Sequence, residues 1–271
     1  MKPGLLHHFC RTMEKIKFIK SFLIYLCKAK YIHGHGIHSP FAYDLISNRF
    51  EEKNPYYVYE IIEGARKQLL ERKDSIYVSD FGTGSSRQRK VADIAKRSLK
   101  SKKYAQLLFR LAHQAKPSSI IELGTSLGIT TAYLASVNTQ TPCYSFEGCP
   151  ETLAVAKSVL DACDIKHVNL EQGAIDEKLP ALLRNLDRVG FVFFDANHTK
   201  EATLKYFYWC LEKVSAESVF VFDDIHYSSG MEEAWTEIVK NERVRVSFDL
   251  YVLGIVYFNP ELQKQHYICL F

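Results

Sequence analysis

The sequence predicts an α/β fold: a doubly wound, mostly parallel seven-stranded sheet with an antiparallel hairpin end, preceded by a helical N-terminal extension. Three observations carry this prediction. Residues 116–271 alternate short apolar runs with longer amphipathic stretches, the pattern of βαβ units covered on both faces. The alternation stops at Val244–Leu250 and Gly254–Phe258, two runs too close together to hold a crossover helix, hence a hairpin. The charge also divides: residues 1–115 carry 22 Lys+Arg against 10 Asp+Glu, and the remainder carries 13 against 21, inside a net charge of only +4. A split of that size points to two parts with different tasks.

Taken in order, Met13, Ile16, Ile19, Phe22, Leu23 and Leu26 recur at helical spacing, with Lys15, Lys17, Lys20 and Lys28 among them. Ser39-Pro40 supplies a cap and a first-turn proline for a helix over Phe41–Phe50. Tyr56–Arg72 and Gln88–Ala115 read as further helices. Between them, Ser75–Val78 leads into the glycine turn Asp80-Phe81-Gly82-Thr83-Gly84-Ser85-Ser86, a loop of the extension placed to cover an active site. Residues 1–104 form the extension and 105–271 the core.

The core opens with the strand Ser118–Leu123 and the helix Ile129–Val137, followed by strand Pro142–Phe146 and helix Pro150–Cys163. Strand Val168–Glu171, helix Asp176–Leu186, strand Val189–Phe194, helix Lys200–Val214, strand Ser218–Phe222 and helix Met231–Asn241 continue the series. The hairpin then closes it, with His266–Phe271 as a further edge strand. Such a core is Rossmann-like.

Composition excludes whole classes. With 47% hydrophobic and 24% charged residues the chain is neither disordered nor collagen-like nor of low complexity. The apolar run Phe22–Cys27 is far below the ~20 residues that span a bilayer, and Met1-Lys2-Pro3-Gly4 does not open a signal-peptide layout. The seven cysteines are an odd set without a Cys-x-x-Cys pair, as expected for reduced thiols in a cytoplasmic protein.

On a parallel sheet, ligands bind beyond the carboxyl ends of the strands, so the residues just after each strand carry the information. The first core strand runs into Glu122-Leu123-Gly124-Thr125-Ser126-Leu127-Gly128. Its glycines permit a tight turn and close approach of backbone to ligand, although strand-to-helix turns use glycine for structural reasons too. It is neither a G-x-G-x-x-G fingerprint nor a P-loop. The next strand ends in Glu147-Gly148, 25 residues after Glu122, where a carboxylate can accept from both hydroxyls of a ribose. The plainer alternative for Glu147 is a solvated carboxylate at a strand end.

Glu-x-Gly-Thr-Ser-x-Gly, Glu147 closing the second strand, Gln172-Gly173-Ala174 and Phe194-Asp195 closing the fourth together resemble the class I S-adenosylmethionine-dependent methyltransferases over about residues 105–260. The resemblance implies S-adenosyl-L-methionine as cofactor. It places the methionine part at Glu122, Gly124, Thr125, Ser126 and Gly128, the ribose at Glu147 and Gly148, and the adenine near Ala174, with Asp195 also facing the cofactor. Within that superfamily, Phe193-Phe194-Asp195-Ala196-Asn197-His198 and Phe222-Asp223-Asp224-Ile225 are similar to the metal-dependent O-methyltransferases of the catechol type. That similarity implies Asp195, Asp223 and Asp224 as ligands of Mg2+. Three carboxylates at neighbouring strand ends also suit a hard cation on chemical grounds, the other reading being helix caps with no metal.

Methyl transfer needs an acceptor aimed in line at the sulfonium methyl group and a base to take its proton. The catechol type has a lysine three residues after the first metal-site Asp, where this chain has His198. His198 and Asp195 are the candidate catalytic residues, with Lys200 and His226 as competing bases. The expected activity is O-methylation of a small or lipid-like acceptor. An RNA methyltransferase gripping phosphate through its basic extension, and a non-catalytic cofactor-binding module, are the alternatives.

Other signals are set aside. Asn54-Pro55-Tyr56-Tyr57 lacks the second proline and the preceding strand of amino-group DNA methyltransferases. His33, His35 and His38 sit in a glycine-punctuated joint without a closing metal ligand. The run Arg87, Arg89, Lys90, Lys96, Arg97, Lys100, Lys102 and Lys103 reads first as a solvated helix face, and without interleaved aromatics it offers single strands no stacking platform. The Lys15–Lys30 helix, with Phe and Leu opposite its lysines, fits peripheral contact with an anionic membrane surface better.

Overall fold

A computed structural model describes residues 20–31, 36–79 and 86–271. Residues 13–19 of the first predicted helix, His33 and His35, and residues 80–85 of the glycine turn lie outside the described residues. In the extension, α1 covers residues 20–28 and α2 Pro40–Leu45, which runs on through a π turn at Ile46–Phe50. Ser39 caps α2, its hydroxyl accepting from the Ala42 N–H, with Pro40 in the first turn. Helix α3 (Tyr57–Glu71), the antiparallel ribbon β1 (Ser75–Ser79) and β2 (Ser86–Lys90) and α4 (Val91–Ser98) follow, and α5 (Lys102–Ala115) runs across the expected boundary at 104/105.

The single helix expected over Gln88–Ala115 is therefore three elements. Residues 86–90 pair with β1, and Leu99 to Ser101 break the helical path with extended backbone at Leu99 (ψ 130°) and Ser101 (ψ 151°). The apolar positions of α4 and α5 continue in phase across that break, so the periodicity does not reveal it. The break puts Lys100 on a loop.

The core follows the predicted alternation: β3 (Ile120–Leu123), α6 (Ile129–Ala135), β4 (Cys143–Glu147), α7 (Pro150–Ala162), β5 (Val168–Gln172), α8 (Ile175–Arg184) and β6 (Val189–Phe194). Then come α9 (Lys200–Leu211), β7 (Val214–Asp223), α10 (Ser229–Lys240), β8 (Val246–Asp249), β9 (Leu253–Tyr257) and β10 (Gln265–Ile268). Among the described residues the main sheet has eight strands, in the order β10-β8-β9-β7-β6-β3-β4-β5. Strands β3 to β7 are parallel, and β9 runs antiparallel to both β7 and β8. The eighth strand, β10, pairs parallel with β8 at the edge, where the sequence offered only a candidate strand.

Chain order reverses at β3, which has β4 on one side and β6 on the other, so the crevice of the sheet opens there. The two-residue period of the strands sorts their side chains into two apolar layers. Ile120, Phe191, Phe193 and Val221 face one layer, while Ile121, Val192, Phe194 and Phe222 face the other. The first layer is shared with the extension: Leu45, Phe50, Ile62 and Leu69 belong to the same buried cluster as Ile120 and Phe248. Arg110 of α5, 6% exposed, fixes this junction, its guanidinium donating to the carbonyls of Arg49 (2.8 Å) and Phe50 (3.2 Å).

Helix α1 buries Tyr25, whose hydroxyl donates to the Cys269 carbonyl, and exposes Phe22, Leu23, Ile24 and Leu26. No helix among the described residues is long and apolar enough to cross a membrane. The six cysteines among them are all free.

Replacing Arg110 by Met keeps the apolar stem and removes a buried, charged donor to two carbonyls. Arg110→Met is expected to cost about 2–3 kcal/mol, read as a lowered denaturation midpoint in urea with an unchanged slope.

Candidate active site

The turn after β3 is shaped by where its backbone must go. Gly124 has φ +106°, and a Cβ there would run into the carbonyl oxygen of Asp195. The ends of β3 and β6 can approach this closely only with glycine at 124. Gly128 (φ +82°) stands at the start of α6 against Ala156 of α7, where a Cβ would come within 3.0 Å of it. Ser126, also left-handed at φ +49°, points its N–H at Glu147 Oε2 (2.9 Å).

Glu147 closes β4 with its other oxygen accepting from the Cys149 N–H (2.9 Å). Burial pushes its pKa up and these backbone donors oppose the shift. The carboxylate is thus locked in one orientation while each oxygen keeps a lone pair for an incoming hydroxyl.

Glu122 lies beneath the turn, fully buried. Its Oε2 accepts from Thr131 (2.5 Å) and Ser145 (2.6 Å), and Ser145 is also 2.6 Å from the Thr125 hydroxyl. Glu122 Oε1 has no hydrogen-bond partner among the described residues. Burial drives its pKa up to about 7, against the two hydroxyl donors. Of the predicted cofactor residues, Gly124, Ser126, Glu147, Gly148, Ala174 and Asp195 line one cavity of about 820 Å³, whereas Glu122, Thr125 and Gly128 support the turn from behind. A cavity of this size is in the range of small-molecule sites.

Asp195, Asp223 and Asp224 enter the same cavity from the ends of β6 and β7. Asp223 is 1% exposed, and its Oδ1 has no hydrogen-bond partner among the described residues. Its Oδ2 is in direct contact with Lys100 Nζ, which also stands 3.9 Å from Asp195 Oδ2. Burial raises the pKa of Asp195 to about 6 against the pull of Lys100. For Asp223 burial and the Asp195 carboxylate both push upward. Burial alone would lower the Lys100 pKa, but the surrounding carboxylates overcome it and hold the ammonium charged.

His198 also lines the cavity, with Nε2 3.5 Å from Asp195 Oδ1. The competing bases are engaged elsewhere. Lys200 pairs with Glu233 (2.8 Å). His226 is held between Glu232 (3.1 Å) and Asp249 (2.8 Å) and stacks on Tyr251. Neither lines the cavity.

Among the described residues, Asp195, His198 and Asp223 present metal-ligand atoms within 4.8 Å of one another, a group that omits Asp224. Mg2+ prefers near-octahedral oxygen coordination, and this set supplies two carboxylates and an imidazole nitrogen. Lys100 already contacts one carboxylate and faces the other. A doubly charged ion about 4 Å from that ammonium would meet repulsion on the order of 8 kcal/mol at an effective dielectric of 20. With Lys100 in this position the residues do not fit a resident Mg2+.

Sequence reasoning missed Lys100 and the three arginines, Arg87, Arg89 and Arg97, that line the same cavity. All four fall in the basic run that reads as a solvated face, and only the break around Leu99 distinguishes Lys100 from its neighbours. The side chains of Arg87, Arg89 and Arg97 form no ion pair or hydrogen bond among the described residues.

Residues 121–225 match a family model described as a methyltransferase domain. Among solved structures, the fold is similar to an S-adenosylhomocysteine-bound methyltransferase from Podospora anserina at 14% identity, covering 82% of this chain and 97% of that one with a TM-score of 0.57. It is likewise similar to an S-adenosylhomocysteine-complexed O-methyltransferase from Bacillus cereus (15% identity, 80% and 96% covered, TM-score 0.55). A third is an S-adenosylmethionine-bound O-methyltransferase from Streptomyces achromogenes (18% identity, 76% and 91% covered, TM-score 0.55). No curated protein sequence matches the chain. Residues 121–225 thus match a methyltransferase domain, and the fold is the one these solved methyltransferases share.

Glu122 gives the folded protein a proton that the unfolded chain has already released between its ordinary value of 4.5 and about 7. Stability therefore falls as pH rises through that window, by roughly 3 kcal/mol at full effect. Glu122→Gln removes this contribution. Urea unfolding of both proteins at about pH 5 and about pH 8 should show the wild type losing more stability than the variant on going to the higher pH.

Proposed function

We propose that the protein transfers the methyl group of S-adenosylmethionine to an oxygen of a small acceptor that carries an anionic group. The observation that carries this reading is the one cavity lined by the locked carboxylate of Glu147, the Asp195–His198 pair and three arginines whose side chains form no ion pair among the described residues. Oxygen as the nucleophile is supported by the Bacillus cereus and Streptomyces achromogenes proteins, which are O-methyltransferases.

In this reading Glu147 accepts from the ribose hydroxyls, Gly124 and Ser126 give backbone room for the methionine part, and Gly148 and Ala174 flank the adenosine. The acceptor hydroxyl attacks the sulfonium methyl in line. An O–CH3 bond forms as the S–CH3 bond breaks, and the sulfur leaves with the electron pair as neutral S-adenosylhomocysteine. The acceptor proton passes to His198, whose ring Asp195 orients from 3.5 Å, and from there to water. Arg87, Arg89 and Arg97 hold a carboxylate or phosphate on the acceptor, the geometry for which guanidinium groups are best suited. An anionic lipid headgroup presents the same chemistry as a free acid. The exposed arginines and lysines of the same run are what an RNA acceptor would use instead.

Calorimetry with S-adenosylhomocysteine tests the cofactor half. Wild type is expected to bind, and Glu147→Ala to bind at least tenfold more weakly, a loss of about 1.4 kcal/mol or more. A wild type that does not bind would sink the methyltransferase reading, and an unaffected variant would sink the role of Glu147.

A turnover screen tests the acceptor half. Hydroxylated carboxylates and phosphate esters should be methylated and their neutral amide or ester counterparts should not. With an acceptor so found, Arg89→Gln is expected to raise KM about tenfold with little change in kcat, while His198→Asn lowers kcat by a factor of about 100 or more. Methylation of RNA with a steep loss on raising salt, and none of the small acids, would replace this acceptor by a nucleic acid.

A further inference from the structure

We infer that Lys100, delivered by the extension, is the protein's own cation for the Asp195–Asp223 carboxylate pair, so that methyl transfer here needs no divalent metal. The inference rests on the function proposed above, and its test is separate from that function.

The lysine is not a surface side chain that happens to reach inward. Its side chain is 11% exposed and touches a carboxylate that is 1% exposed. Its backbone is also held. Arg66 of α3 donates through Nη1 to the Lys100 carbonyl (2.8 Å), and its Nε is gripped by both oxygens of Glu63 (3.0 Å each). Glu63 in turn accepts from the hydroxyl of Tyr133 (2.9 Å), on the helix that begins at the cofactor turn.

On either side of the loop, α4 and α5 are anchored by buried Val91, Ile94 and Ala95 and by Ala105, Leu107 and Leu108. Two anchored helices and a clamped carbonyl fix the direction of the stem, and the ammonium ends where a metal would otherwise balance the two carboxylates. Asp195 Oδ2 stands 3.9 Å from the Lys100 ammonium, while its Oδ1 is 3.5 Å from His198 Nε2. Lys100 is on this account a positioning residue: it keeps the carboxylate pair compact and leaves proton removal to His198.

Mn2+ titration followed by electron paramagnetic resonance tests this on the full chain with S-adenosylhomocysteine present. Wild type is expected to leave the free-ion signal unchanged at millimolar Mn2+. Lys100→Met should gain a site at least tenfold tighter than any in wild type, and adding Asp223→Asn to it should abolish the gain. Wild-type protein that binds Mn2+ as tightly as the variant overturns the inference, as does a folded Lys100→Met that gains nothing. Should Lys100→Met fail to fold, the wild type decides alone: bound Mn2+ refutes the inference and an unchanged signal upholds it. Loss of S-adenosylhomocysteine binding would instead count against the methyltransferase reading and leave the metal result standing.

Discussion

Burying carboxylates at the carboxyl edge of the sheet is the constraint on which the rest of this structure depends. Glu122, Glu147, Asp195 and Asp223 all sit at strand ends around the crevice, and each has its pKa pushed upward by burial. An unpaired buried charge costs several kcal/mol, so each group needs a partner or a proton. The solutions differ. Hydroxyls of Thr131 and Ser145 serve Glu122, backbone N–H groups serve Glu147, and an ammonium from outside the core serves Asp223 and Asp195. Only the last pairing crosses from one part of the chain to another, and it makes the extension part of the site.

The uneven charge of the chain takes on a definite direction from this. A net charge of +4 hides a basic first part and an acidic second part, and these meet across one cavity. Lys100 neutralises acids of the core, whereas the side chains of Arg87, Arg89 and Arg97 line the same space without an ion pair among the described residues. The positive charge of the extension is therefore divided between holding the site together and waiting for a ligand. This division of charge is the basis on which an anionic acceptor is proposed.

The sheet and the strand-end residues were legible in the sequence because a buried parallel strand is a near-continuous apolar run and the ligand residues follow it directly. Gly124, Glu147, Asp195 and Asp223 could each be named from that rule. The strand β10 was harder, since Gln265–Ile268 is short and mixed in character, and only its pairing with β8 makes it part of the sheet. His198 and His226 look alike as loop histidines. What separates them is Asp249 and Glu232 closing around His226, contacts that local pattern does not encode. Lys100 was illegible for a related reason. The residues before and after it keep helical spacing, and the carboxylates it meets lie about a hundred or more positions away along the chain.

A tethered cation differs from a bound metal in what it can do. Mg2+ would coordinate the acceptor oxygen and lower its pKa directly, but an ammonium already committed to two carboxylates has little left to offer that oxygen. On the proposed mechanism, deprotonation then falls to His198 and to the alignment of the acceptor with the methyl group. The position of Lys100 itself rests on the contacts from Tyr133 through Glu63 and Arg66. Tyr133 belongs to α6, which opens at Gly128 of the turn after β3, so the helix that starts behind that turn also steadies Lys100 further along.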